Sequence, residues 1–133
     1  MFTTKGRYAL RIMIDLAQHT GDKYIPLKDI ATRQDISKKY LEIIAKDLVK
    51  GGFIEGASGK HGGYKLVRNP DEYSVGEIIE LMEGTISPVA CLEADAKECP
   101  RADQCKTLSM WTDFYKLERD FFFRKKLSDL CNS

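Results

Sequence analysis

The sequence lacks an apolar run long enough to span a membrane, and residues 1–7 lack the apolar stretch of a signal peptide. We therefore expect a cytoplasmic protein with no membrane partner. Histidine is also scarce, since His19 and His61 are the only two and both lie outside the cysteine-bearing part of the chain. No Cys/His constellation and no phosphate-cradling glycine loop before a helix is visible, so we do not expect an enzyme.

The composition indicates one small folded unit with an uneven charge. The 133 residues are 43% hydrophobic, which suits one compact domain with an appendage. Residues 1–65 hold 12 Lys and Arg against 7 Asp and Glu, whereas residues 66–133 hold 9 against 13. The basic first half suits a polyanionic partner, and the acidic second half indicates a different task.

Residues 26–64 follow the order helix, turn, helix, hairpin. A short amphipathic helix spans residues 26–34, and Ser37 is a good N-cap for a second helix over residues 38–50. The apolar face of that second helix is predicted at Leu41, Ile44, Ala45, Leu48 and Val49. Two short apolar runs, at residues 53–55 and 64–67, then flank a glycine-rich tip. This order predicts a mainly α fold with a small β-wing, the winged helix-turn-helix that reads duplex DNA.

Two further helices complete a predicted domain over residues 1–84. The first is capped by Thr3 or Thr4 and should end near Gly21. The other begins with a capping box from Ser74 to Glu77 and ends at Gly84. Its buried residues are predicted to be Ile78, Ile79, Leu81 and Met82.

The predicted DNA contacts lie on the helix over residues 38–50, at the wing tip and at the start of the first helix. Lysines mainly hold phosphates, whereas Glu42 can accept a hydrogen bond from a base amino group such as cytosine N4. Glycines at 59, 62 and 63 permit positive φ and close backbone approach. The predicted set is Lys5, Arg7, Lys28, Ser37, Lys38, Lys39, Tyr40, Glu42, Lys46, Gly59, Lys60, His61 and Gly62. A solvated lysine face and a plain hairpin turn are the alternatives.

Helical and strand periodicity vanishes between Thr85 and Lys106, and this segment carries Cys91, Cys99 and Cys105. A structural disulfide is not expected in the cytoplasm. Three thiolates can instead bind a soft metal or an iron–sulfur cluster, or form a redox switch. The spacing does not match the paired C-x2-C units of zinc modules, and incidental cysteines are the alternative. We predict a sensor loop over residues 85–106, with Cys91, Cys99 and Cys105 as the metal and cofactor ligands.

An aromatic stripe follows in residues 107–133, which we predict to be a dimerisation helix and tail. The stripe has more apolar surface than one small domain needs to cover its core. A DNA-binding protein with two-fold symmetry also needs a second copy to span two half-sites. The predicted dimer residues are Met110, Trp111, Phe114, Leu117 and Phe121. Packing within one subunit is the alternative. Leu127, Leu130 and Cys131 form a short tail, in which Cys131 is assigned no role.

Several motifs together resemble a known family. They are residues 4–11, the Ile36-Ser37-x-x-Tyr40-Leu41-Glu42 segment, the Gly59-x-x-Gly62-Gly63-Tyr64-x-Leu66 wing, residues 74–79, and three cysteines before an aromatic helix. In these features the chain resembles the IscR/NsrR/CymR type of bacterial winged-helix regulator over nearly its whole length. The resemblance implies a homodimeric transcription factor whose loop can hold an iron–sulfur cluster at Cys91, Cys99 and Cys105. It also implies that Glu42 is the base-reading glutamate.

The chain departs from that family at three places. Leu108 stands where IscR-like members have a histidine ligand, and Arg7-Tyr8 stand where nitric-oxide sensors have a carboxylate, so the fourth ligand is open. Ser58 stands where an arginine often precedes the wing glycine, so the preferred DNA sequence is expected to differ.

The leading hypothesis is a dimeric repressor of a double-stranded DNA operator, controlled by an iron–sulfur cluster of the 2Fe–2S rather than the 4Fe–4S type. Purified protein is not expected to retain the cluster in every case. The alternative keeps the DNA reader and replaces the cluster by a thiol redox switch or a regulatory protein partner. A pure protein-interaction module is a third reading, which leaves the basic recognition face unused.

Overall fold

The computed structural model describes residues 2–19, 21, 23–93, 96–97 and 100–132. In this part of the chain the fold is mostly helical with one small antiparallel hairpin. The helices and strands are α1 (Thr4–Gln18), α2 (Leu27–Gln34), α3 (Lys38–Lys50), β1 (Ile54–Ala57), β2 (Gly63–Leu66), α4 (Val75–Glu83), α5 (Leu108–Arg124) and α6 (Leu127–Cys131). Short 3-10 turns lie at Pro70–Glu72 and Ala90–Leu92.

Side chains cap the starts of α1 and α3, as the sequence predicts. The Thr3 hydroxyl accepts a hydrogen bond from the Gly6 amide at 3.3 Å and begins α1. The Ser37 hydroxyl accepts one from the Tyr40 amide at 3.2 Å and begins α3. Between α2 and α3 the backbone reverses at Asp35, whose φ of 53° is one that Asp tolerates better than most residues. A sharp turn between the two helices results.

The wing pairs β1 with β2, with Ile54 opposite Leu66 and Ala57 opposite Gly63. The segment between α1 and α2 joins this sheet through one antiparallel bridge from Ile25 to Tyr64. The two residues exchange backbone hydrogen bonds of 2.8 and 2.9 Å. The wing is therefore fixed to the helices at the base of β2, and the predicted winged helix-turn-helix is confirmed.

An ion pair whose carboxylate is buried in an otherwise apolar core holds α2 against α1. Asp15 of α1 is fully buried and accepts hydrogen bonds from Arg33 of α2 at 2.8 and 3.0 Å and from Gln34 at 3.0 Å. Burial alone would raise the pKa of Asp15, but these hydrogen bonds outweigh it and keep the pKa below its ordinary value. Because Arg11 of α1 also donates to the Gln34 side chain at 3.2 Å, the charge pair is one of several polar contacts that orient α2 on α1.

Tyr73 anchors the wing to the start of α4. Its fully buried hydroxyl donates to the Phe53 carbonyl at 2.6 Å and accepts from the amides of Val67 and Arg68 at 3.0 and 3.1 Å. The next residue, Ser74, forms the predicted capping box with Glu77. The end of β2 and the first turn of α4 are thus locked together by hydrogen bonds.

The chain beyond α5 returns to this core. Leu127 of α6 is fully buried in the same cluster as the core residues of α1, and α6 packs on α1. The Val75 amide donates to the Lys125 carbonyl at 2.8 Å, and the Leu127 amide donates to the Tyr73 carbonyl at 3.1 Å. The residues that the sequence presents as a tail are a helix integrated with the core. The division at residues 84 and 106 stays a prediction.

Two predicted core residues are on the surface instead. Val49 is 41% exposed and Leu81 is 38% exposed. The buried stripes are narrower than predicted: α3 buries Leu41, Ile44, Ala45 and Leu48, and α4 buries Ile78, Ile79 and Met82 of the predicted residues. Among the described residues, no helix combines the length and apolar character that membrane crossing requires.

Candidate nucleic-acid interface and cysteine segment

An open cleft of about 730 Å³ separates the N-terminal half of α3 from the wing. Lys38 and Glu42 line it from α3, and Lys28 lines it from α2. Gly59 and Gly62 line it from the wing. The structure thus brings five of the predicted DNA contacts to one concave surface, which three separate elements supply.

The outward face of α3 continues this surface. Lys39, Lys46 and Lys50 are exposed and lie opposite the buried stripe. Glu42 is exposed as well and stands between the lysine face and the cleft. A single acid within a basic face is repelled by phosphates unless it accepts from a base, so the position fits a base reader.

The predicted contacts near the helix starts are already engaged within the protein. Lys5 forms an ion pair of 2.5 Å with Asp47 of α3, and Arg7 donates to the Thr4 hydroxyl at 3.3 Å. The half-buried Tyr40 packs edge-to-face on Tyr8, with ring centroids 5.7 Å apart. The Lys5–Asp47 and Tyr8–Tyr40 contacts hold α3 against α1, whereas the Arg7 bond and the Ser37 cap stabilise the starts of their own helices.

The wing glycines differ from the prediction at one position. Gly59 and Gly63 have φ of 100° and 148°, as expected, whereas Gly62 is not in the positive-φ region. Gly62 is needed for close approach, because a Cβ there would overlap the Ala57 carbonyl across the hairpin. This tight turn leaves Lys60 and His61 exposed at the tip.

The structure describes two of the three predicted sensor cysteines. Cys91 lies in the 3-10 turn at Ala90–Leu92 and Cys105 lies just before α5, and both are exposed free thiols. Cys99 lies outside the described residues. The Thr107 hydroxyl, 3.5 Å from the Cys105 sulfur, and the Thr107 backbone lower the pKa of the Cys105 thiol. In the described part of the chain, no three His, Cys, Asp or Glu side chains gather as a metal site.

The residues after Cys91 lie against the junction of α4 and α5. Leu92 and Glu93 line a cleft of about 810 Å³ together with Glu80 of α4 and Tyr115 and Arg119 of α5. Arg119 donates to Glu80 at 2.8 Å and to the Tyr115 hydroxyl at 3.2 Å. A conformational change in the cysteine segment would therefore reach the contact between the two helices.

An apolar stripe runs along the exposed side of α5. None of the 17 residues of α5, all of which are described, is buried. Leu117 is 69% exposed, and Met110, Phe114 and Phe121 are exposed along the same stripe. Trp111 is half-buried and contacts Phe114 edge-to-face at 6.4 Å between centroids. A helix with this face is typical of a surface that another chain covers.

Sequence reasoning missed the residues that support the site. The Asp15–Arg33 pair helps to orient the helix-turn-helix. Its only sign in the sequence is an aspartate at the edge of the apolar stripe of α1. Thr107, which contacts Cys105, lies two residues beyond it in the sequence and belongs to no motif. Cys131, assigned no role, packs half-buried against the core, and burial raises the pKa of its thiol.

A helix-turn-helix with an attached wing, and a basic helix face beside that wing, define a winged-helix DNA-binding protein. Residues 2–133 match the family Rrf2, described as "Iron-dependent Transcriptional regulator". The chain belongs to the Rrf2 family of transcriptional regulators, and it is not an enzyme.

Curated relatives agree over most of their length. The chain is 39% identical over 114 residues to the protein rrf2 of Nitratidesulfovibrio vulgaris, covering 86% of this chain and 75% of the relative. It is 35% identical over 131 residues to the regulator IscR of Pectobacterium atrosepticum, covering 98% and 79%.

Solved structures share the whole fold. The structure of CymR, the global cysteine regulator of B. subtilis, superposes with a TM-score of 0.80 at 33% identity and covers 99% of this chain and 96% of its own. IscR of T. potens superposes with a TM-score of 0.77 at 33% identity and covers 99% and 86%. The chain is therefore similar both to IscR and to CymR.

Proposed function

We propose that the chain is a homodimeric, cytoplasmic repressor whose binding to a double-stranded DNA operator is controlled by an iron–sulfur cluster at Cys91, Cys99 and Cys105. The observation that carries the proposal is the position of the cysteine segment. It connects α4 of the DNA-binding core to α5, the helix with the uncovered apolar face.

The DNA-reading part of the proposal rests on the cleft and the lysine face of α3. Lys38, Lys39 and Lys46 supply phosphate contacts that hold the register, and Glu42 supplies base discrimination. Lys60 and His61 reach phosphate or a minor groove from the wing tip. Ser58 in place of the family's arginine gives this chain a different sequence preference.

The homodimer rests on the exposed apolar stripe of α5. A second copy of α5 that packs on Met110, Phe114, Leu117 and Phe121 would remove large apolar side chains from water, the main favourable term in association. An isologous contact of this kind also places two recognition helices for two half-sites.

The cluster rests on the donor set. Thiolates are the ligands that iron–sulfur clusters require, and Cys91 and Cys105 are exposed free thiols at the two ends of one segment. Bound there, a 2Fe–2S cluster would supply a redox-active centre. Position 108, where IscR-like members have a histidine ligand, is a leucine at the start of α5, so the fourth ligand must be another residue. The family's description as iron-dependent and the IscR relatives support this choice.

A cluster-free thiol switch is the second candidate, and one observation favours it. The pKa of the Cys105 thiol is lowered by Thr107, which favours the reactive thiolate in an exposed position. The oxidised form of Staphylococcus aureus CymR also superposes with a TM-score of 0.75 at 33% identity, covering 100% of this chain and 97% of its own. A regulatory protein partner that acts through the same segment is a variant of this candidate.

Anaerobic purification followed by visible absorption and iron and sulfide analysis tests the cluster. We expect a coloured protein, and loss of iron in single Cys→Ala variants at 91, 99 and 105. Cys131→Ala is the matched control, because that thiol packs on the core, and it should retain iron. An iron-free protein whose operator binding survives all three replacements would reject the cluster, and a disulfide among the three cysteines after oxidation would support the thiol switch.

Sedimentation of the purified protein tests the dimer separately. Leu117→Glu places a charge in the apolar stripe and should yield monomers. Lys116→Glu, at the preceding and also exposed position of the same helix, should remain dimeric. A dimer that survives Leu117→Glu would mean that α5 does not form the interface.

A further inference from the structure

Ile43 is an exposed apolar residue on the outward face of α3. Its side chain is 50% exposed, and it belongs to neither of the hydrophobic clusters that the described residues form. It is not part of the stripe that docks α3 on the core, which consists of Leu41, Ile44, Ala45 and Leu48. Packing of the folded core therefore does not explain why position 43 is an isoleucine.

Helix formation gives no reason either. Isoleucine is β-branched and less favourable in a helix than lysine, the residue that occupies the neighbouring outward positions. Lys39, Ile43, Lys46 and Lys50 are spaced four, three and four residues apart and so share one helix face. Ile43 is the single apolar member of this otherwise cationic row.

The charges around Ile43 indicate what covers it. Three lysines on the same face suit a polyanion, whereas an apolar protein surface would bury them at a cost. Glu42, one residue away, borders the cleft toward the wing. In a major groove the apolar group available to a side chain is the C5-methyl of thymine.

We propose that Ile43 is a specificity-determining residue that contacts the methyl group of a thymine in the major groove of the operator half-site. This inference rests on the proposed DNA-reading role of α3. It adds an apolar contact for thymine to the hydrogen-bonding contact of Glu42. Ile43 would then select between bases that Glu42 and the lysines do not distinguish.

The test uses the full chain and a duplex selected by the wild-type protein from random sequence. Each thymine of one half-site is replaced in turn by deoxyuridine, which keeps the base pair and removes only the methyl group. Affinities of wild type and Ile43→Ala are measured by fluorescence anisotropy for every duplex. Leu81→Ala is the control, because it truncates an exposed aliphatic residue on α4, outside the candidate interface.

We expect one deoxyuridine position at which wild type and Leu81→Ala bind about 4-fold more weakly, the factor that corresponds to one buried methylene-sized group. Ile43→Ala should bind the duplexes that keep this methyl group less tightly than wild type, should be insensitive to its removal, and should equal wild type on the duplex that lacks it. Circular dichroism should show that both variants retain the helical content of wild type. Equal sensitivity of wild type and Ile43→Ala at every thymine, or a selected half-site without thymine, would overturn the proposal while leaving DNA binding intact. Failure of the wild type to select any duplex would overturn the proposed function as well.

Discussion

The Asp15–Arg33 pair provides a quantitative test of what holds the helix-turn-helix in place. The Asp15 side chain is 1% exposed, whereas the Arg33 side chain is 35% exposed. Asp15→Asn keeps the shape of the side chain, removes its charge and turns one acceptor into a donor that faces the guanidinium. The variant therefore breaks the charge pair without opening a cavity.

The expected loss in the free energy of unfolding follows from how exposed the Asp15 and Arg33 side chains are. Breaking a fully buried ion pair by removing one partner costs about 3–5 kcal/mol. Because Arg33 can turn its charge toward water, we expect a smaller loss of about 2–3 kcal/mol for Asp15→Asn at pH 7. Arg33→Ala should cost more than Asp15→Asn, since it leaves the buried carboxylate with its charge and without its main partner.

The difference between wild type and Asp15→Asn should depend on pH. The pKa of Asp15 is lower in the folded chain than in the unfolded chain, because the hydrogen bonds from Arg33 and Gln34 outweigh burial. A carboxyl of this kind stabilises the fold above its unfolded pKa of about 3.9. That stability is lost as pH falls through the folded pKa. The difference should therefore be complete at neutral pH and shrink below about pH 4.

Urea unfolding followed by helical circular dichroism at several pH values measures this difference. Asp113→Asn, at an exposed position on α5, is the matched control and should change the free energy of unfolding by less than about 0.5 kcal/mol. An Asp15→Asn loss as small as the control's, or a loss that stays the same at pH 3, would refute the electrostatic account.

Two further substitutions test the wing and its anchor. Tyr73→Phe leaves the buried Phe53 carbonyl and two backbone amides without their partner, so we expect a loss of about 2–3 kcal/mol in urea unfolding; a loss below about 0.5 kcal/mol would show that water replaces the hydroxyl. Gly63→Ala adds a Cβ that overlaps the Ile25 carbonyl at a φ of 148°, and it should cost at least about 2 kcal/mol and weaken DNA binding. Gly52→Ala, at a φ of 80° with open space around it, carries the backbone strain alone and should cost less.

Local signals account for the parts of the fold that the sequence predicts well. Thr3, Ser37 and Ser74 each cap a helix through a contact within three residues, so a short stretch of sequence contains the whole interaction. The glycine-rich wing is similar, since hairpin geometry requires glycine at its tight positions. These elements are sufficient to specify a winged helix-turn-helix.

The missed features depend on residues that are distant in the chain. Arg33 meets Asp15 only after α2 docks on α1, and Tyr73 meets the Phe53 carbonyl only after the wing folds back. Leu127 is buried because α6 reaches the core through α5, and nothing in its own neighbourhood indicates this. In the candidate site, the ion pair of Lys5 with Asp47 also joins residues that are distant in the sequence and meet only after α3 docks on α1. Each of these contacts requires the tertiary arrangement that the local patterns do not encode.

Because α6 is attached to the core, α5 is held at its C-terminal end and tilts about that end. Its C-terminal end is pinned, because the Lys125 carbonyl bonds to Val75 and Leu127 is buried in the core. Its N-terminal end, at Leu108, leads directly into the cysteine segment. A helix of 17 residues is about 25 Å long, so a tilt of about 5° at the C-terminal end displaces the N-terminal end by about 2 Å. A movement of about one bond length near Cys105 therefore corresponds to a tilt of only a few degrees at the C-terminal end of α5. In the proposed homodimer, two α5 helices in contact would convert such tilts into rotation of one protomer against its partner.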